Sequence, residues 1–284
     1  MPPLDPRLNA ARPDLADVRL RGVVEAAEYA VGITMRARVT PLDIHPTAAR
    51  DGSILAQALA GEALRVFERD AATGSAWISR ERDGYVGYVD LVDLADDFEP
   101  THMVQAPRSF AYQGADLKSP VQWQASMGER VVVAGETETR GTRYAELSDG
   151  TWMIADHLVA MDGLGGDPVA HSATLLHTPY LWGGETGFGV DCSGLVVLGH
   201  MLSGRDVVRD SDMQADRLGE PLSDLNDLRR GDLVFWRGHV GMMEDAQTLL
   251  HANGHTMSVA REPLAEAVER IGYLYGEPTG ARRP

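Results

Sequence analysis

The stretch Asp191-Cys192-Ser193-Gly194-Leu195-Val196-Val197-Leu198-Gly199-His200 places the only cysteine of the chain where a loop turns into an apolar run. The spacing predicts a helix over Cys192–Ser203, closed by Gly204 in the C-cap position. N–H groups at a helix start, together with the helix dipole, favour negative charge there. The placement therefore predicts a thiol with a lowered pKa and a raised thiolate fraction. The same amides can receive an oxyanion as the thiolate attacks a carbonyl. A buried, inert cysteine is the other reading of a lone thiol.

Working outward from the thiol, a nucleophile of this kind needs a base. His239 lies in Arg237-Gly238-His239-Val240-Gly241, inside a strand pattern. Its flanking glycines predict close approach by another element. His251 follows in Leu249-Leu250-His251-Ala252. On adjacent antiparallel strands the two imidazoles can meet, and His251 would then fix the tautomer and orientation of His239. Predicted strands run over Leu233–Trp236, Val240–Met243 and Thr248–Ala252. Helices are predicted over Val169–His177 and Leu264–Ile271, with a glycine-rich loop over Tyr180–Val190.

The N-terminal half has a different texture. Residues 1–34 read as an amphipathic helical arm. From Ala37 to Met161 short β-rich runs alternate with Gly, Asp and Pro. Gly61-Glu62-Ala63-Leu64-Arg65-Val66 recurs as Gly128-Glu129-Arg130-Val131-Val132-Val133. The repeat predicts two small β-barrels, over 35–99 and 100–162, with one irregular β-sandwich as the alternative. A Gly- and Asp-rich loop, Asp162–Pro168, separates this half from a domain over 168–277.

Composition narrows the function classes. The chain has 284 residues, 44% of them hydrophobic and 24% charged, an ordinary globular balance. A net charge of −16, with Lys118 as the only lysine, disfavours nucleic acid and anionic membranes as partners. One cysteine cannot form an internal disulfide. The start lacks the pattern of a signal peptide, and no apolar run is long enough to span a bilayer, so a cytoplasmic location is expected; a monomer is the separate expectation for its assembly.

The joint motif set Pro179-Tyr180-x-Trp182-Gly183-Gly184, Asp191-Cys192-Ser193-Gly194-Leu195, Arg230-Gly231-Asp232-Leu233, Gly238-His239-Val240-Gly241 and Leu250-His251-Ala252 resembles the NlpC/P60 family of papain-like cysteine peptidases. The tandem β half resembles the bacterial SH3-like domains that precede this domain in cytoplasmic peptidases of murein-peptide recycling. The implied fold class is α+β, a papain-like catalytic domain after two small SH3-like β-barrels. The implied activity is hydrolysis of the bond between γ-D-glutamate and the diamino acid (meso-diaminopimelate or L-Lys) of stem peptides with a free N-terminal L-Ala. L-Ala-γ-D-Glu-diaminopimelate is such a partner.

By this resemblance Cys192 is the nucleophile, His239 the base and then the acid, and His251 the orienting residue. Tyr180 is expected beside the thiol, either assisting the oxyanion or packing its own turn. Asp191, Ser193, Asp210 and Ser211 are expected to contact the dipeptide, with helix capping as the other role for Asp210. Glu62 and Tyr85 are expected to close the site around the L-Ala ammonium. Glu62 as a solvated strand-end charge is the alternative there. Tyr88 is the rival of Tyr85 and the better candidate for barrel core. No metal or cofactor is expected, since a zinc site on Cys192, His239 and His251 would lack a fourth ligand. Two further readings remain: a non-catalytic peptidoglycan-binding protein, and a papain-like amidase or acyltransferase.

Overall fold

A computed structural model describes residues 4–284. The chain divides into two compact units. The first comprises Met1–Val104, Phe110–Ala125 and Glu129–Leu158; the second comprises Gln105–Ser109, Ser126–Gly128 and Val159–Pro284.

The first unit is built of short strands. Ile33–Ala37, Ala63–Asp70, Ser75–Arg80, Val86–Asp90 and Leu94–Ala95 form one five-stranded sheet. A second five-stranded sheet runs Val121–Ser126, Arg108–Tyr112, Trp152–Ile154, Thr142–Leu147, Val133–Thr139. The two repeat copies enter different sheets: Ala63–Val66 lies in the first five-stranded sheet, whereas Arg130–Val131 joins a three-stranded sheet with His102–Val104 and Leu158–Ala160. In both copies the glycine has positive φ, Gly61 at 77° and Gly128 at 90°, and the following glutamate is buried.

Among the described residues the N-terminal arm forms no α-helix. Leu15–Asp17 and Glu28–Ala30 are short parallel strands, joined through a single 3-10 turn at Val18–Leu20. Its apolar residues serve tertiary packing instead of a helical stripe: Ala10 packs against Phe67 and Trp77. Arg12 stacks on Trp77 at 4.3 Å and donates to Glu68 and the Tyr88 hydroxyl.

The second unit is an α+β assembly on a six-stranded sheet. Its strands are β1 (Glu220–Leu222), β2 (Leu233–Trp236), β3 (His239–Met243), β4 (Thr248–Asn253), β5 (Ser258–Pro263) and β6 (Gly280–Arg283), in the order β1-β6-β2-β3-β4-β5. Four helices accompany it: α1 (Pro168–Ala173), α2 (Cys192–Leu202), α3 (Ser211–Arg217) and α4 (Leu264–Tyr275). β2 reads Leu-Val-Phe-Trp without alternation because both its faces are covered. Leu233 and Phe235 share a cluster with Cys192 and Val196 of α2, whereas Val234 and Trp236 share one with Ala267 and Ile271 of α4. Each such side chain contributes about 1.5–3 kcal/mol by leaving water. α2 is buried along its whole length, which fits its nearly unbroken apolar sequence.

Two expected helix lengths change. α1 stops at Ala173, four residues early, because Thr174 caps it and His177 takes a left-handed φ of 69°. α4 runs on to Tyr275 and ends at Gly276. Among the described residues no helix is long and apolar enough to cross a membrane.

Candidate active site

The thiol of Cys192 sits at the first position of α2, 7% exposed. Asp191 is the N-cap that fixes this helix start. Its Oδ1 accepts the Gly194 N–H at 2.7 Å and its Oδ2 accepts the Gly183 N–H at 2.9 Å. A Cβ at Gly194 would lie 2.3 Å from the Gly184 carbonyl oxygen, so only glycine lets the first turn of α2 rest against the 183–184 backbone. The Trp182-Gly183-Gly184 and Asp191–Gly194 motifs are therefore two halves of one backbone contact.

His239 opens β3. The hairpin from β2 turns through Arg237-Gly238, with Gly238 at φ 73°. The glycines flanking His239 do not serve to admit an element to the imidazole: Gly238 makes the turn, and Gly241 accommodates the Leu249 side chain, 2.6 Å from where a Cβ would stand. β3 and β4 are antiparallel, with Met242 opposite Leu250. Carried on, that register sets Gly241 opposite His251 and leaves His239 as its diagonal neighbour. His239 Nε2 and His251 Nδ1 lie 2.8 Å apart, the rings nearly edge to face. The thiol meets the backbone N–H groups of Val240, next to His239, and of Ser193.

Burial governs the charges here. It pushes the Cys192 thiol up to about 12, with the Asp191 carboxylate adding to the shift and the Val240 N–H opposing it. The expectation of a lowered thiol pKa is thus reversed: loss of water outweighs the helix terminus. Burial, with His251 adding to it, pushes the His239 imidazole down to about 3. At rest the thiol and the His239 imidazole are therefore both neutral. Tyr180, half-buried and next to the thiol, is held protonated mainly by burial, so its hydroxyl stays a donor.

The other expected contacts separate into distinct places. Asp191 and Ser193 belong to a buried cluster around Arg209. Arg209 binds both Asp191 oxygens, at 3.0 and 2.6 Å, and the Ser193 hydroxyl at 2.7 Å. Its Nε lies 2.7 Å from Glu185, whose side chain is fully buried. Asp210 occupies the N-cap position of α3 but makes no capping hydrogen bond with its side chain, and Ser211 begins that helix. Glu62 and Tyr85 lie in the first β module. Glu62 is 1% exposed and is not a solvated strand-end charge. One oxygen accepts from Arg82 at 2.9 Å and the other from the Leu59 N–H at 3.2 Å. Tyr85 is buried over Arg80, whereas Tyr88 is half-buried and packs against the Phe67–Trp77 cluster.

Sequence reasoning missed two acidic partners: Glu185 behind the N-cap and Glu262 beside His251. The Glu262 Oε1 lies 2.7 Å from His251 Nε2, and Arg270 holds the same carboxylate. Among the described residues no three His, Cys, Asp or Glu side chains are grouped to hold a metal ion.

Comparison with known proteins agrees with this architecture. The profile of the NlpC/P60 family matches residues 177–270, and that of the bacterial dipeptidyl-peptidase Sh3 domain matches residues 44–94. A γ-D-glutamyl-L-lysine dipeptidyl-peptidase of Bacillus cereus is 35% identical over 263 residues, covering 80% of this chain and 74% of that protein. The protein of the same name from Bacillus subtilis is 27% identical, covering 77% and 78%. Dipeptidyl-peptidase 6 of Lysinibacillus sphaericus is 29% identical over 43% of this chain, and the match spans 49% of that relative. The crystal structure of an NlpC/P60 family protein from Bacillus cereus superposes with a TM-score of 0.72 at 20% identity, covering 88% of this chain and 99% of that one. This likeness speaks for the fold.

Proposed function

We infer the activity from one premise: this chain belongs to the NlpC/P60 family. The reaction is cysteine-peptidase hydrolysis of the γ-D-glutamyl–diamino acid bond in peptidoglycan stem peptides with a free N-terminal L-Ala, in recycling of murein peptides inside the cell. The observation that carries this reading is a thiol at a helix start that meets the Val240 N–H, next to one of a hydrogen-bonded pair of histidines. The names of the two Bacillus relatives support the bond assigned.

Each step follows from the resting charges. His239 takes the thiol proton as sulfur attacks the γ-carbonyl carbon of D-Glu. The oxyanion is received by the N-terminal amides of α2 and the Tyr180 hydroxyl. His239 then returns the proton to the leaving amine of the diamino acid, and a thioester remains on Cys192. Water, deprotonated by His239, attacks the thioester and releases L-Ala-γ-D-Glu.

Reading the free amine needs a carboxylate at the far end of the site. Glu62 meets Arg82 in the first unit, whereas Asp210 starts α3 in the same unit as the thiol, so the role is assigned to Asp210. A charge-assisted hydrogen bond is worth about 1.5–3 kcal/mol, roughly 10- to 150-fold in kcat/KM. Wild-type protein is expected to cleave L-Ala-γ-D-Glu-meso-diaminopimelate much faster than its N-acetylated form. Asp210→Asn should narrow that ratio, and Glu62→Gln should leave it unchanged. Equal rates on the two peptides in the wild type would sink the free-amine reading. A ratio that narrows only in Glu62→Gln would move the role to the first β module.

A further inference from the structure

We propose that Glu262, held by Arg270, is a positioning residue that sets the tautomers of His251 and His239, so that one lone pair faces the thiol. The proposal begins with strand register. His251 on β4 pairs with Ala260 on β5, so Glu262, two residues on, shares the face of His251 as its diagonal neighbour. Three contacts then run in line. His239 Nε2 lies 2.8 Å from His251 Nδ1. His251 Nε2 lies 2.7 Å from Glu262 Oε1, with the oxygen off the N–H axis. Arg270 of α4 contacts that same Oε1 and places its Nε 3.4 Å from Oε2.

Proton bookkeeping along this line has one satisfactory solution. Burial raises and the His251 and Arg270 contacts lower the Glu262 pKa, and the net is a carboxyl at about 2. An ionised carboxylate only accepts hydrogen bonds. The His251 Nε2 must therefore carry a proton, because solvent does not reach this nitrogen. Its Nδ1 is then a lone pair and accepts from His239, so His239 carries its proton on Nε2. That leaves His239 Nδ1 as the free base. In the opposite arrangement, a lone pair on His251 Nε2 would face the carboxylate, and His239 Nδ1 would already be protonated and unable to take the thiol proton.

Arg270 has a separate effect. A bare carboxylate next to two imidazoles would favour an imidazolium and block the base. The groups acting on His239 from the packed elements are His251 and Arg270, which lower its pKa, and Glu262, which raises it. The Glu262–Arg270 pair is close to neutral, so it orients without charging the histidines.

The inference rests on the peptidase reading for its kinetic arm only, and the first arm of the test is independent of turnover. In protein labelled with ¹⁵N-histidine, two-bond ¹H–¹⁵N correlations at neutral pH are expected to show His239 and His251 both as Nε2–H tautomers. Glu262→Leu, close in volume but without an acceptor, should convert part of both populations to Nδ1–H. Glu262→Gln should keep most of the native pattern, since its amide oxygen still accepts. In the kinetic arm, Glu262→Leu should lower kcat about ten- to a hundredfold with KM changed less than twofold, and Glu262→Gln should fall between it and wild type. Should Glu262→Leu not fold, Arg270→Gln decides: the acid limb of kcat/KM should move to higher pH, because Glu262 then faces the histidines without its counter-charge. Unchanged tautomers in a folded Glu262→Leu protein, or an unmoved acid limb in Arg270→Gln, would overturn the proposal. A tautomer shift in protein that cleaves no peptide would leave the positioning role standing and count against the peptidase reading instead.

Discussion

Cys192→Ala is expected to lose at least about 10⁴-fold in kcat/KM on the stem tripeptide while keeping the wild-type melting temperature within a few degrees. The loss is large because no other group at the start of α2 can form the thioester, and binding alone leaves only residual catalysis. The fold should persist because Asp191, not Cys192, makes the helix cap. Alanine in place of the buried thiol removes one sulfur atom from a cluster that keeps Val196, Phe235 and Val240. The same site fixes the pH profile of the wild type. His239 works as a base only when neutral, and burial holds its pKa down at about 3. Activity should therefore survive as pH falls through 6.5, the ordinary imidazole value, and the acid limb of kcat/KM should lie well below it. An acid limb at 6.5 or above would mean that His239 is solvated in the working enzyme.

Arg209→Leu is expected to destabilise the second unit by about 3–5 kcal/mol, which is how much breaking one partner out of a buried ion cluster costs. Arg209 is 1% exposed and holds Asp191 and Glu185 together. Removing the guanidinium leaves two carboxylates without their counter-charge, one of which caps α2. Domains are stable by only about 5–15 kcal/mol, so the loss takes a large share of the total. Calorimetry should show a transition roughly 10 °C lower. Arg209→Lys should be intermediate, since an ammonium keeps the charge but cannot fork across both Asp191 oxygens. A melting temperature within 2 °C of wild type for Arg209→Leu would mean that the cluster contributes nothing to folding.

What the sequence disclosed followed from local signals. α2, β2, β3 and β4 were legible because an apolar run is bounded by Asp191 and Gly204, and because short β-rich runs are spaced by tight turns. The meeting of His239 with His251 was legible for the same reason, since a short hairpin brings neighbouring strands together. The helical reading of residues 1–34 failed because apolar spacing there serves packing on Phe67 and Trp77 rather than a helix face. The thiol pKa was read in the wrong direction because position at a helix start is visible in sequence and burial is not. Glu262 and Glu185 were out of reach for a related reason. Glu262 is eleven residues past His251, and only the β4–β5 register makes it a neighbour. Glu185 meets Arg209 with the whole of α2 between them in sequence, and nothing in either segment marks the pair.

Cleavage is tested by incubating the purified wild-type protein with L-Ala-γ-D-Glu-meso-diaminopimelate and identifying the products by mass spectrometry. L-Ala-γ-D-Glu and free diaminopimelate are expected in equal amounts, with no free alanine. Intact tripeptide after prolonged incubation, or cleavage at the L-Ala–D-Glu bond, would contradict the assigned reaction.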